Sequence, residues 1–207
     1  MSIAISSLGV RVYYTVAADT SAPVSATTFT EVPEVKSIPS LSPAPDTLET
    51  TPLANTEYKT YINGLKDLGG ALEFTVNLTQ DLIDLWNGRS YVLTSDSTVD
   101  ASKTYYTRDG VNYTVVTSPE DAGLSTYYEY QDASTDADSV MYKFAHLTSG
   151  NAMWLCIVHP QLSNAVYFPF EPAKLGLPEI TVNAVLEGTL SITPVGEVTW
   201  DAKPVIG

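Results

Sequence analysis

The chain has 207 residues, 44% of them hydrophobic and 16% charged, which excludes a wholly disordered chain and suffices for one domain, or one domain with a small insert. Its 24 acidic residues against 10 basic ones give a formal net charge of −14, which argues against nucleic-acid binding, although a surface past which DNA must slide without sticking would carry this sign. No apolar stretch approaches the roughly 20 residues of a bilayer-spanning helix.

Most segments read as strands, because Val, Ile, Thr and Tyr recur with a period near two and Gly, Pro, Asn or Asp punctuates them. The apolar stretch at 8–18 is interrupted by Arg11 and two tyrosines and follows no basic segment, so it reads as a strand over 9–16 and not as a signal peptide. A second strand is expected over 28–35, weakened by Pro33, which cannot donate to a ladder. Residues 38–55 hold Pro39, Pro43, Pro45 and Pro52 among many Ser and Thr and read as a long extended loop. Strands are expected at 57–62 and 71–77, with Gly64, Gly69 and Gly70 between them. In the latter Leu72, Phe74 and Val76 share one face and Glu73 and Thr75 the other. Thr79 then opens a helix, with Asp81 in its first turn and Leu82, Ile83, Leu85 and Trp86 on its apolar side.

Residues 91–138 differ from their surroundings. They carry seven of the thirteen tyrosines and nine acidic residues against Lys103 and Arg108, and read as a small insert whose core is tyrosine packing. Short strands are expected at 91–94, 104–107, 112–116 and 126–130, with Asp109-Gly110 as a hairpin turn. Residues 139–147 have helical spacing at Val140, Met141, Phe144 and Leu147, and Gly150 ends the segment. Strands resume at 152–158, 165–170, 180–187 and 189–193, with Glu187-Gly188 as a tight turn or bulge, and a last short strand is expected at 197–200.

The residues offer no catalytic constellation. His146 and His159 lie in different elements without a partner to tune them, and structural roles are expected for both. The lone Cys156, inside an apolar run at 152–158, permits no intrachain disulfide and reads as a buried, inert thiol in a reducing compartment. One Cys and two scattered His do not make a zinc site. The run at 132–138, with Asp132, Asp136 and Asp138, resembles a calcium loop in passing but lacks its central Gly and terminal Glu, and reads as a solvated linker. Gly69-Gly70 precedes a strand and lacks the following helix and Lys of a phosphate loop. The tyrosines of the insert suit a stacking platform for sugars or bases, but core packing is the preferred reading, and the scarcity of basic residues argues against bases. Metal, cofactor and catalytic residues are therefore all expected to be none.

The order of segments carries a resemblance. The stretch NTEYKTYINGLKDLGGALEFTVNLT at 55–79, preceded by Glu49-Thr50-Thr51 and followed later by Trp154 to Val158, Phe168-Pro169-Phe170 and Ile192 to Gly196, resembles the major tail protein family of long flexible-tailed bacteriophages. The likeness covers roughly 1–88 and 139–207. It implies a mainly β fold, a β-sandwich or partial barrel with one flanking α-helix, and a tail-tube core with an N-terminal arm at 1–8 and a long loop at 38–60. The insert at 89–138 would then project from the outer tube surface. It further implies a non-enzymatic virion protein, assembled in the host bacterial cytoplasm, whose hexameric rings stack into a tube. Its partners would be its own copies, tape-measure and tail-completion proteins, and DNA passing through the lumen without specific binding; no membrane is implied. Inter-subunit contacts are expected at Ser2, Ile3, Leu41, Glu49, Thr50, Thr51, Leu53 and Tyr58. The competing expectations are a β-sandwich binding or adhesion module on a virion or cell surface, and a hydrolase built from scattered Asp and Glu that meet only in space.

Overall fold

A computed structural model describes residues 8–24, 28–41, 44–51, 59, 61–67, 70–94, 103–110, 112–116, 127–182 and 184–205. In chain order the elements are β1 (Arg11–Ala18), β2 (Thr30–Val32), β3 (Val35–Ser37), β4 (Ala44–Glu49), β5 (Tyr61–Asp67), β6 (Leu72–Asn77), α1 (Gln80–Asn87), β7 (Tyr91–Thr94) and β8 (Tyr105–Asp109). There follow β9 (Asn112–Val116), β10 (Tyr127–Tyr130), a short 3₁₀ turn over Ala133–Thr135, α2 (Val140–Ala145), β11 (Asn151–Val158), β12 (Asn164–Pro172), β13 (Glu187–Pro194) and β14 (Thr199–Ala202). The fold is mainly β. It divides into two compact units, the first formed by residues 1–78 and 147–207 and the second by 79–146.

The first unit is a curled antiparallel sheet in the order β2-β1-β11-β12-β13-β6-β3, with β14 also on β12. Register and strand alternation together define its inner face. Tyr14 lies opposite Leu155 and Leu155 opposite Phe168, while across the far side Ile192 meets Leu72 and Leu190 meets Phe74. All seven are buried. Each such side chain withdrawn from water stabilises the fold by about 1.5–3 kcal/mol. The opposite face of β1, β11 and β12 is buried as well. There Tyr13, Trp154, Cys156, Ala165 and Tyr167 form a second cluster, covered by Ala22, Val24 and Phe29 of the segment after β1. That double burial explains the near-continuous apolar runs of β11 and β12.

The two ends of this sheet are joined by one short piece of chain. The segment expected as a single strand at 28–35 is broken by Pro33 and Glu34 into β2, which pairs with β1, and β3, which pairs with β6. Glu34 adopts a left-handed backbone at φ 63°. Asn77 holds it there, its backbone N–H donating to the Glu34 carbonyl at 2.9 Å and its side-chain amide to the Glu34 carboxylate at 3.0 Å. At the far side β12 changes partner along its length, from β14 over 164–167 to β13 over 170–172. Pro169, which has no N–H, sits at the change. Gly196 returns against its ring so closely that a Cβ would lie 2.5 Å from the Pro169 Cγ.

Several expectations shift in this unit. The long loop at 38–55 contains β4, which forms a separate two-stranded ribbon with β5, and the strand expected at 57–62 falls later, at Tyr61–Asp67. A register break between Pro45 and Thr47 lets the ribbon accommodate the proline. The strand expected over 180–187 is not found among the described residues from 173 to 186, which are irregular. Glu187 and Gly188 begin β13 and make no turn. Gly188 faces Leu78, Leu175 and Val76, where little room exists for a side chain.

In the second unit Thr79 caps α1, its hydroxyl accepting from the Leu82 N–H at 3.3 Å, and Leu82 and Trp86 are fully buried. Gly88 ends the helix with φ 103°, and a Cβ there would meet the Ala133 carbonyl oxygen at 1.9 Å, so only glycine fits. Next to it, Asp136 is 5% exposed. Its carboxylate accepts from the Arg89 backbone N–H at 2.9 Å and from the guanidinium at 2.8 and 3.0 Å. Ser139 caps α2 by accepting from the Tyr142 N–H, and its hydroxyl donates to the Asp136 carbonyl. These contacts tie both helices to the tyrosine-rich part of the chain. The division therefore falls at 78/79 and 146/147, not at the compositional breaks near 89 and 138, and the helix expected to flank the tube core belongs to the second unit. The rest of that unit is a four-stranded sheet, β7-β10-β8-β9, with Asp109 and Gly110 at the β8–β9 turn.

Candidate functional site

The chemistry-bearing side chains that sequence reading singles out have local structural partners among the described residues. The two histidines have local roles: His146 ends α2 with its ring on Tyr142 and its Nδ1 2.9 Å from the Tyr142 carbonyl, and the His159 Nδ1 accepts from the Gln161 N–H. In the acidic run, Asp132 caps the 3₁₀ turn through the Ser134 N–H, and Asp136 is the buried partner of Arg89. That run is therefore an ordered joint and not a solvated linker. Among the described residues no group of three or more His, Cys, Asp or Glu is arranged to hold a metal ion.

Cys156 is fully buried in β11, opposite Tyr167. Burial pushes its thiol up to about 12, and burial likewise raises Tyr167, whose hydroxyl donates to the Ala202 carbonyl at 2.7 Å.

Of the eight residues expected at subunit contacts, Ser2, Ile3, Leu53 and Tyr58 lie outside the described residues. Leu41 lies before β4; Glu49 ends that strand, its carboxylate 3.0 Å from the Lys59 ammonium; Thr50 and Thr51 follow it. The structure thus brings Glu49, Thr50 and Thr51 to one end of the β4–β5 ribbon. Leu48, which sequence reasoning passed over, stands beside them and is 54% exposed. Among the described residues this ribbon pairs with no other strand.

Further exposed apolar side chains lie in the first unit. Leu177, Ile180, Val182 and Val185 occupy the irregular segment before β13, and Trp200 stands on β14, which pairs with β12 alone among the described residues. Their signal in the sequence was the alternation that suggested a strand there. Pro178, which has no N–H to donate to a ladder, is the contrary signal.

The second unit has a different surface. Tyr91 lies opposite Tyr130, Tyr128 opposite Tyr106 and Arg108 opposite Tyr113, so these six side chains share one face of the four-stranded sheet. Tyr105 and Tyr127, on the other face, are buried. A cleft of about 360 Å³ adjoins the first face, lined by Gln80, Ile83, Asp84, Gly88, Ser90, Tyr91, Arg108 and Tyr113. No helix among the described residues is long and apolar enough to cross a membrane.

Fold and surface together define a mainly β protein of two compact units with exposed apolar and aromatic side chains. Compared with known proteins, the chain matches no protein-family model and no curated protein.

Proposed function

We propose that this chain is a non-enzymatic structural subunit that self-assembles into hexameric rings, stacked as the tail tube of a long-tailed bacteriophage. The observation that carries this reading is the β4–β5 ribbon. A lone two-stranded ribbon is marginal in water, and its unpaired edges are a liability unless another chain joins them. In a ring the ribbon of one subunit lies on the sheet of its neighbour, through Leu41, Leu48, Glu49, Thr50 and Thr51, and the open edge of β14 is covered in the same way. The net charge of −14 suits a conduit through which DNA passes without adhering. The order of sequence segments resembling the tail-protein family supplies the choice among ring-forming proteins.

Negative-stain microscopy of the purified chain tests this. Rings or hollow tubes are expected, and Leu48→Glu, at a side chain exposed in the single subunit, is expected to abolish them while leaving the circular dichroism unchanged. A chain that stays monomeric at high concentration overturns the proposal.

A further inference from the structure

The tyrosine face of the second unit is not used by ring assembly as proposed above. Its rings hold one another in fixed positions: Tyr91 stacks on Tyr113 with centroids 3.8 Å apart and planes within 6°, and Tyr106 and Tyr130 meet Tyr91 edge-on at 5.2 and 5.6 Å. Tyr128 meets Tyr113 in the same way at 5.3 Å. None of these five is buried, and Tyr130 is 60% exposed. A rigid aromatic surface left in water binds with little further ordering cost.

The adjoining cleft fixes the class of ligand. Its volume lies near the lower end of the range for small-molecule sites. Its charges balance, Asp84 against Arg108, so neither an anion nor a cation is favoured. Gln80 donates to the Asp84 carboxylate at 2.7 Å one helical turn away, placing a planar amide beside a planar carboxylate. With the Arg108 guanidinium and the Ser90 hydroxyl, these are groups that hydrogen-bond in pairs. Paired hydrogen-bonding groups next to aromatic rings complement vicinal hydroxyls and the C–H faces of a sugar ring. A nucleic acid is disfavoured by the acidity of the chain. A protein side chain would seek an apolar socket, whereas four of the eight lining residues are polar or charged and Ile83 is the one aliphatic side chain among them.

We propose that this cleft and the tyrosine face beside it bind a neutral polysaccharide, one sugar residue seated in the cleft and its neighbours lying across the tyrosines. The site stands independently of whether the chain builds tubes.

Affinity electrophoresis of the full chain, through native gels containing dextran, laminarin, yeast mannan or soluble starch, tests it, with heparin as an anionic comparison. Retardation by at least one of the four neutral polymers, and none by heparin, is the expected result. Gln80→Ala and Tyr113→Ala are each expected to weaken that retardation by about fivefold or more, the worth of a hydrogen bond or a ring contact. Gln80 is exposed on α1 and outside the tyrosine network, so its variant decides the matter even if Tyr113→Ala unfolds the sheet. Free migration in all four gels, stronger retardation by heparin than by any neutral polymer, or wild-type retardation of Gln80→Ala overturns the proposal.

Discussion

Asp136 shows how one carboxylate organises a unit. Hydrogen bonds from the Arg89 guanidinium are the largest cause that lowers it to about 2 from an ordinary 3.8, against the opposing effect of burial. A depressed carboxyl stabilises the fold above its unfolded value and loses that contribution as the pH falls through the folded one. For Asp136 the contribution is about 2 kcal/mol at neutral pH, lost between about pH 4 and pH 2. Asp136→Asn should therefore cost about 2 kcal/mol at pH 7 and little at the acid end. Urea unfolding followed by near-ultraviolet circular dichroism measures both, and an equal loss at either pH would refute the assignment. Cys156 gives a second check. Because burial pushes its thiol up to about 12, iodoacetamide at mildly alkaline pH should label it only after unfolding.

At the scale of elements, caps and turns are local devices and are open to local tests. Thr79→Ala should remove the α1 cap and cost about 1 kcal/mol in thermal or chemical unfolding. Gly88→Ala should cost several times more, since both its positive φ and the Ala133 carbonyl stand against a side chain. The same locality decides what the sequence reveals. The α1 cap, the alternation of Leu72, Phe74 and Val76, the Asp109-Gly110 turn and the start of α2 are all legible because each depends on residues a few positions apart. The break of 28–35 into β2 and β3 is not legible, because β1 and β6 at opposite ends of the sheet impose it. Strand β4 is hidden by Pro45, which a register break accommodates. Of the candidate surfaces, the region around Glu49 to Thr51 is indicated by pattern. The tyrosine face is visible only as composition, since which of the seven tyrosines share a face follows from strand pairing.

At the scale of the whole molecule, the second unit is inserted between two parts of the first. A polypeptide comprising residues 79–146 contains both helices, the Arg89–Asp136 pair and the whole four-stranded sheet, and exceeds the size of about 40 residues below which domains need disulfides or metals. It should fold alone and keep the near-ultraviolet tyrosine signal of the full chain. A featureless spectrum for the fragment would show that the first unit is needed to hold it.

That insertion also sets an order of events during synthesis. Beyond the three-residue strands β2 and β3, the inner-face residues of β1 and β6 find their partners in β11 and β13, which leave the ribosome after residue 146. Four of the eight strands of the first sheet are therefore still missing when the second unit is complete. The early strands, with Tyr14 and Phe74 uncovered, must wait in the presence of other nascent copies, when unpaired edges are most prone to wrong association. A mutation that slows translation between residues 79 and 146 should accordingly lower the soluble yield without altering the stability of the molecules that finish folding.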